Sequence, residues 1–211
     1  MYRPVLQWPS PELKRISDTV EVFGDELQSI VKDLYDTVNV KFGAGLAAPQ
    51  IGITKRVVII NCDAIPNASN PEPASFDSRM WVVINPELQL RGDDITWREA
   101  CLSVPLYGGN VKRKSTVDMT YQNITGEKKS VTVEWPLSGC LQHECDHLDG
   151  ILFVDRMKRK DSAEIRRKIA RHRADSRRRA KKLKRRLKPQ KEPIDTRMSH
   201  GPGKRKKKRK K

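Results

Sequence analysis

A chain of 211 residues, with 43 Lys and Arg, 26 Asp and Glu and a formal charge of +17, has room for one substantial domain and a further segment. The charge is uneven: residues 1–155 hold 15 basic and 21 acidic side chains (net −6), whereas 156–211 hold 28 and 5 (net +23), so the basicity says nothing about the body. No apolar stretch approaches the roughly 20 residues that span a membrane, no signal or transit pattern opens the chain, and four scattered cysteines argue against a disulfide framework; a reducing cytoplasm is the expected setting.

In chain order, Asp25 is placed to cap a helix from about Glu26 to Lys41, with Leu27, Ile30, Val31, Leu34, Tyr35 and Val38 at helical spacing as its buried face. A glycine-containing loop follows, then a buried strand over 56–61. Residues 64–79, with three prolines and several Asn and Ser, read as a loop. Trp81–Ile84 and Glu87–Arg91 read as strands broken by Asn85-Pro86. Gly108-Gly109 reads as a turn, followed by alternating runs over 115–121 and 129–135 joined by a hairpin turn at 123–126. Leu137 to Leu148 forms an apolar helix.

That last helix carries the chemistry. His143 and His147 are four apart, so both imidazoles share a face and can reach one ion. Glu144 sits about 100° round the helix, where its carboxylate can take a proton from a water on the metal. A third protein ligand is needed to leave one position open. The third His of the extended motif is absent, because the chain reads His147-x-x-Gly150-x-x-Phe153. Cysteines remain. Cys145 points about 200° away from His143, and Cys140 lies roughly 10 Å of helix axis from His147, too nearly collinear to converge with it. Cys62 and Cys101 stay open on geometry alone.

The chain resembles the peptide deformylases in three motifs, in that family's order and approximate spacing. They are Gly43-Ala44-Gly45-Leu46-Ala47-Ala48-Pro49-Gln50, Glu99-Ala100-Cys101-Leu102-Ser103 and Gln142-His143-Glu144-Cys145-Asp146-His147. The similarity runs from about Pro4 to Arg156. The order of elements reads as an α+β fold with antiparallel strands around a central helix, which matches the mixed fold and metal-binding helix that the resemblance implies. With a basic C-terminal helix and a disordered tail read from composition, the expected division is 1–156 catalytic, 157–188 helix and 189–211 tail.

The resemblance further implies that Cys101, His143 and His147 hold one Fe²⁺, with Zn²⁺, Ni²⁺ or Co²⁺ as substitutes. Glu144 is then the general acid/base, and Gln50 with the Leu102 N–H donates to the formyl oxygen. The substrate is the formylmethionyl end of a nascent peptide. Gly43, Ala44, Gly45, Trp97, Glu99, Leu137 and Cys140 are the implied substrate-binding residues. Arg113 matches a basic position of the family, against a plain solvent-facing strand residue.

One departure stands out: Ala100 occupies a position where the family usually has Gly. It is harmless there if φ is negative and costly if φ is positive. A metallopeptidase, or a nucleic-acid-binding protein with a structural metal site, are the competing classes. The missing downstream ligand counts against the first, and the open fourth position against the second.

The C-terminal segment is built of helix formers from Asp161 to about Leu187, then a Pro- and Gly-containing stretch over 189–203, then eight consecutive cations, 204–211. Such a segment binds polyanions; the resemblance, whose substrate is a nascent chain, makes the ribosome the expected partner of residues 161–188, with the final cation run adding affinity for its RNA. The lack of any aromatic residue after Phe153 argues against base stacking. No membrane partner is expected.

Overall fold

Four consecutive apolar residues, Val57–Ile60, can all be buried in one strand only if both faces of its sheet are covered. In the computed structural model, which describes residues 1–186, strand β2 (Val57–Asn61) meets this condition. Val57 and Ile59 pack with Leu27, Val31, Leu34 and Val38 of helix α1 (Asp25–Lys41). Val58 and Ile60 pack with Leu141, Cys145 and Leu148 of helix α2 (Leu137–Leu148). Truncating one such side chain to Ala would cost about 2–5 kcal/mol.

The other strands are β1 (Gly45–Ala47), β3 (Pro73–Ala74), β4 (Asp77–Cys101), β5 (Val104–Gln122) and β6 (Lys128–Glu134). Every pairing is antiparallel, in the order β1-β2-β4-β5-β6, with β3 on β4. A short helix α3 (Phe153–Arg156) precedes helix α4 (Arg159–Arg186). The fold is the expected α+β type, with a helix on each face of the sheet. Met1–Arg167 form one compact unit, and a second begins at Lys168. The expected irregular stretch at 189–203 and the cation run at 204–211 lie outside the described residues.

Several local expectations are corrected. Asp25 is the first residue of α1 rather than its cap, which is Gly24. Asn85-Pro86 does not end a strand: β4 runs through it with a shift of register between Ile84 and Glu87. The Asn85 (φ 51°) side chain ties this irregularity to the N-terminal segment, accepting from Val20 N–H and donating to Val20 C=O, both at 2.9 Å. Strand pairing also reaches back into the expected loop, at Pro73–Ala74 and from Asp77 onward.

Gly108-Gly109 is not a turn. The chain reverses at Leu102-Ser103, and both glycines lie inside β5. What these positions need is space. A Cβ on Gly109 would meet the Met157 Cε at 2.3 Å, and one on Gly108 would meet the Glu99 carbonyl at 2.7 Å.

Candidate active site

All twelve residues of α2 are buried, although half are polar or charged, so each polar group needs a partner. Strand β5 supplies many. Gln142 Oε1 accepts from Lys114 N–H at 3.1 Å, its Nε2 donates to Lys114 C=O at 2.8 Å, and Ser138 Oγ donates to Ser115 C=O at 2.8 Å. Asp146 takes Arg113 and Arg156, each at 2.6 Å. These bonds fix the rotation of α2, and therefore where His143, Glu144 and His147 point.

Three ligand atoms converge at the end of β4 beneath α2. One each from Cys101, His143 and His147 lie within 4.8 Å of one another, and all three residues are buried. Cys101 Sγ and His147 Nε2 are 3.3 Å apart, a span that two ligands of one ion can hold at bond lengths of about 2.0–2.3 Å. His143 Nδ1 is taken by Glu99 Oε2 at 2.7 Å, which leaves Nε2 for an ion. Burial holds His147 well below the usual imidazole range, which favours the neutral form that a metal ligand needs. Burial would lower His143 too, but the Cys101 sulfur and Glu99 outweigh it and raise it; these surroundings favour a positive charge, and an ion taken up between the three side chains would supply that charge in place of the proton. One thiol and two imidazoles suit iron or zinc. The residues fit a single divalent ion.

Glu144 stands beside them. Its Oε2 is buried with no hydrogen-bond partner among the described residues. Burial pushes its carboxyl up to about 7, with the neighbouring Glu99 charge adding to the rise. Gly45 makes this placement possible, because a Cβ there would come within 2.7 Å of Glu144 Cγ and Oε1. Gln50 lies in a 3₁₀ turn over Ala48–Ile51. Its Oε1 accepts from Ala47 N–H at 2.8 Å, which turns Nε2 toward Cys101 Sγ (3.6 Å) and Ser103 Oγ (3.3 Å).

A cavity of about 760 Å³ opens over these groups. The first motif contributes Gly43, Ala44, Gly45 and Gln50 to its lining, and the second contributes Glu99, Cys101 and Leu102. Trp97, Cys140, His143 and Glu144 complete the part foreseen from sequence. Leu137 is not in the lining; it is buried in the core on the α2 face of the sheet. Ala100 lines the mouth, is exposed and lies in β4 outside the positive-φ residues, so its methyl group is accommodated.

Arg113 does not face solvent. It is 4% exposed, and its guanidinium joins Glu99 (2.7 Å) to Asp146 (2.6 Å). Burial alone would raise the Glu99 carboxyl; His143 and Arg113 outweigh that and hold it at about 2. Ser103, Asp146 and Arg156 went unnoticed in the sequence. Asp146 and Ser103 stand within motifs and were findable there, whereas nothing local marks Arg156.

Known proteins agree with this geometry. The family model described as polypeptide deformylase matches residues 2–163. A peptide deformylase of Phenylobacterium zucineum (strain HLK1) is 36% identical over 171 residues, covering 81% of this chain and 96% of that protein. Peptide deformylase 1 of Prochlorococcus marinus (strain MIT 9313) is 42% identical over 158 residues, 74% of this chain and 80% of its own. The crystal structure of a peptide deformylase from Legionella pneumophila matches with a TM-score of 0.72 at 32% identity, covering 84% of this chain and 99% of that one. The chain belongs to the polypeptide deformylase family.

Proposed function

We propose that the protein removes the N-formyl group from the formylmethionine of nascent polypeptides, with Cys101, His143 and His147 holding one divalent ion and Glu144 moving the proton. The observation that carries these roles is the convergence of three ligand atoms within 4.8 Å beside a buried carboxylate oxygen that no group among the described residues engages. The peptidase and structural-metal alternatives gain no support from the relatives or from the site.

When bound, the ion supplies Lewis acidity and lowers the pKa of water. The remaining work falls to the chain. Water adds to the formyl carbon as Glu144 accepts its proton, and the charge that develops on the formyl oxygen is met by Gln50 Nε2 and the Leu102 N–H. The Leu102 N–H has no acceptor among the described residues, so it is free to donate. Glu144 then passes the proton to the nitrogen. The C–N bond breaks, leaving formate and a free amino terminus. Ala44, Trp97 and Cys140 offer apolar wall for the methionine side chain.

Fe²⁺ is the ion we assign, with Zn²⁺, Ni²⁺ or Co²⁺ as substitutes, and the cytoplasm is the setting. Formate release from N-formyl-Met-Ala-Ser, by protein purified without oxygen and loaded with Fe²⁺, tests the reading. Formate from the parent but not from Glu144→Ala is the expected result; none from folded, metal-loaded parent would overturn it.

The ribosome is the second partner we assign. Residues 168–186 are helical and hold eleven Lys and Arg against one Asp, a density that binds polyanions with steep salt dependence. Deleting 168–211 spares the buried Met157 and Ile165 and should weaken co-sedimentation with ribosomes. Unchanged binding would discard the assignment.

A further inference from the structure

We propose that Arg98 and Lys41 make the mouth of the active cleft select acidic side chains in the first residues after formylmethionine, a preference that rests on the deformylase reading above. Eight Lys and Arg side chains line three cavities found among the described residues. Six are tied to carboxylates, as Arg56 is to Asp149 at 2.7 Å and Lys114 to Asp94 at 3.1 Å. The two without a carboxylate among the described residues are Lys41 and Arg98, and both belong to the active cleft.

Their settings keep them available. Lys41 Nζ rests over the Tyr2 ring, 5.7 Å from its centroid. The Arg98 guanidinium lies across Gly108 of β5, where a Cβ would approach its Nε to 3.4 Å and Nη2 to 3.5 Å. The Arg98 head group thus lies within contact range of the strand, with no carboxylate partner among the described residues. The two acids of the cleft, Glu99 and Glu144, are buried within it, and Glu99 is occupied by Arg113 and His143.

The substrate's chemistry completes the argument. A formyl cap removes the α-ammonium, so the first charge that an incoming chain carries is a side chain. An Asp or Glu arriving at this mouth meets two uncommitted cations; a Lys is repelled.

The test is kcat/KM for amidated formyl-Met-Ala-Asp-Ser, with Asn and with Lys in place of Asp, the amide removing the terminal carboxylate. Two exposed pairs predict an Asp-to-Asn ratio of about fivefold at low salt. The ratio should be carried by KM and fall toward one as salt shortens the Debye length. It should also fall to about one in the Arg98→Gln/Lys41→Gln double variant and persist in Lys128→Gln, an exposed cation of β6 outside the cleft. A ratio near one in the parent at low salt, or one that survives in the double variant, overturns the proposal. Formate from none of the peptides fells the deformylase reading itself.

Discussion

Glu99 Oε2 lies 2.7 Å from His143 Nδ1, so a carboxylate on β4 sets the ring of a candidate metal ligand on α2. Arg113 holds the same carboxylate through Oε1 at 2.7 Å and reaches Asp146, itself one residue from His147, at 2.6 Å. One ion-pair chain therefore orients the face of the helix that carries His143 and His147. Glu99→Gln keeps the shape but weakens both grips. Metal affinity should fall by about 10–100-fold, read by competition with a chromophoric chelator. Unchanged affinity would mean that α2 alone positions His143.

Arg113→Leu removes the centre of that chain and leaves two carboxylates buried without it. Breaking a buried pair in this way costs about 3–5 kcal/mol. Urea unfolding of the variant should show a loss of this size; a loss below about 1 kcal/mol would show that Arg156 alone satisfies Asp146.

Gly45→Ala probes the approach of β1 to Glu144. The added methyl would sit 2.7 Å from Glu144 Cγ and Oε1, so the carboxylate must shift. Because general acid/base groups contribute about 10²–10⁴-fold, kcat should drop by about 100-fold or more while the melting temperature and metal content hold. A kcat close to the parent's would remove Glu144 from the proton's path.

Asp155 links stability to pH. Burial would raise its carboxyl, but Lys14, the Leu152 N–H (2.8 Å) and Arg166 outweigh that and hold it below the usual range. A carboxyl whose pKa is depressed by folding stabilises the fold above the unfolded pKa, about 3.9. That stability disappears as pH falls through the lower folded value. In paired denaturant titrations, the parent's advantage over Asp155→Asn should be full at pH 6 and shrink progressively below about pH 4. An advantage independent of pH would assign the effect to packing.

Three cysteines should resist alkylation. Burial pushes Cys62 up to about 12, and Cys140 and Cys145 are raised by the same cause. At pH 8 in the folded protein these thiols should stay unmodified and react only on unfolding. Rapid labelling of Cys140 by mass spectrometry would show that the cleft admits reagent to the thiolate.

What was legible in the sequence was local and periodic. The ends of α2, the buried run of β2 and the shared face of His143 and His147 follow from spacing within a few turns or residues. Three motifs in order were enough to identify the family. Interruptions misled: Asn85-Pro86 and Gly108-Gly109 read as stops, yet β4 runs on past one with a shift of register, and close neighbours take up the space at the other.

Whatever depends on partners far along the chain needed the tertiary structure. Cys101 meets His147 across 46 residues, and spacing alone could not choose it over Cys62. Arg113 matches a basic position of the family, but a solvent-facing strand residue competes with that reading until α2 covers β5 and supplies Asp146, which makes it the buried centre of the site's support. Local sequence determines where a helix or strand can form and which side chains share a face. Which distant groups then lose water together, and so must pair, is decided only when the layers close.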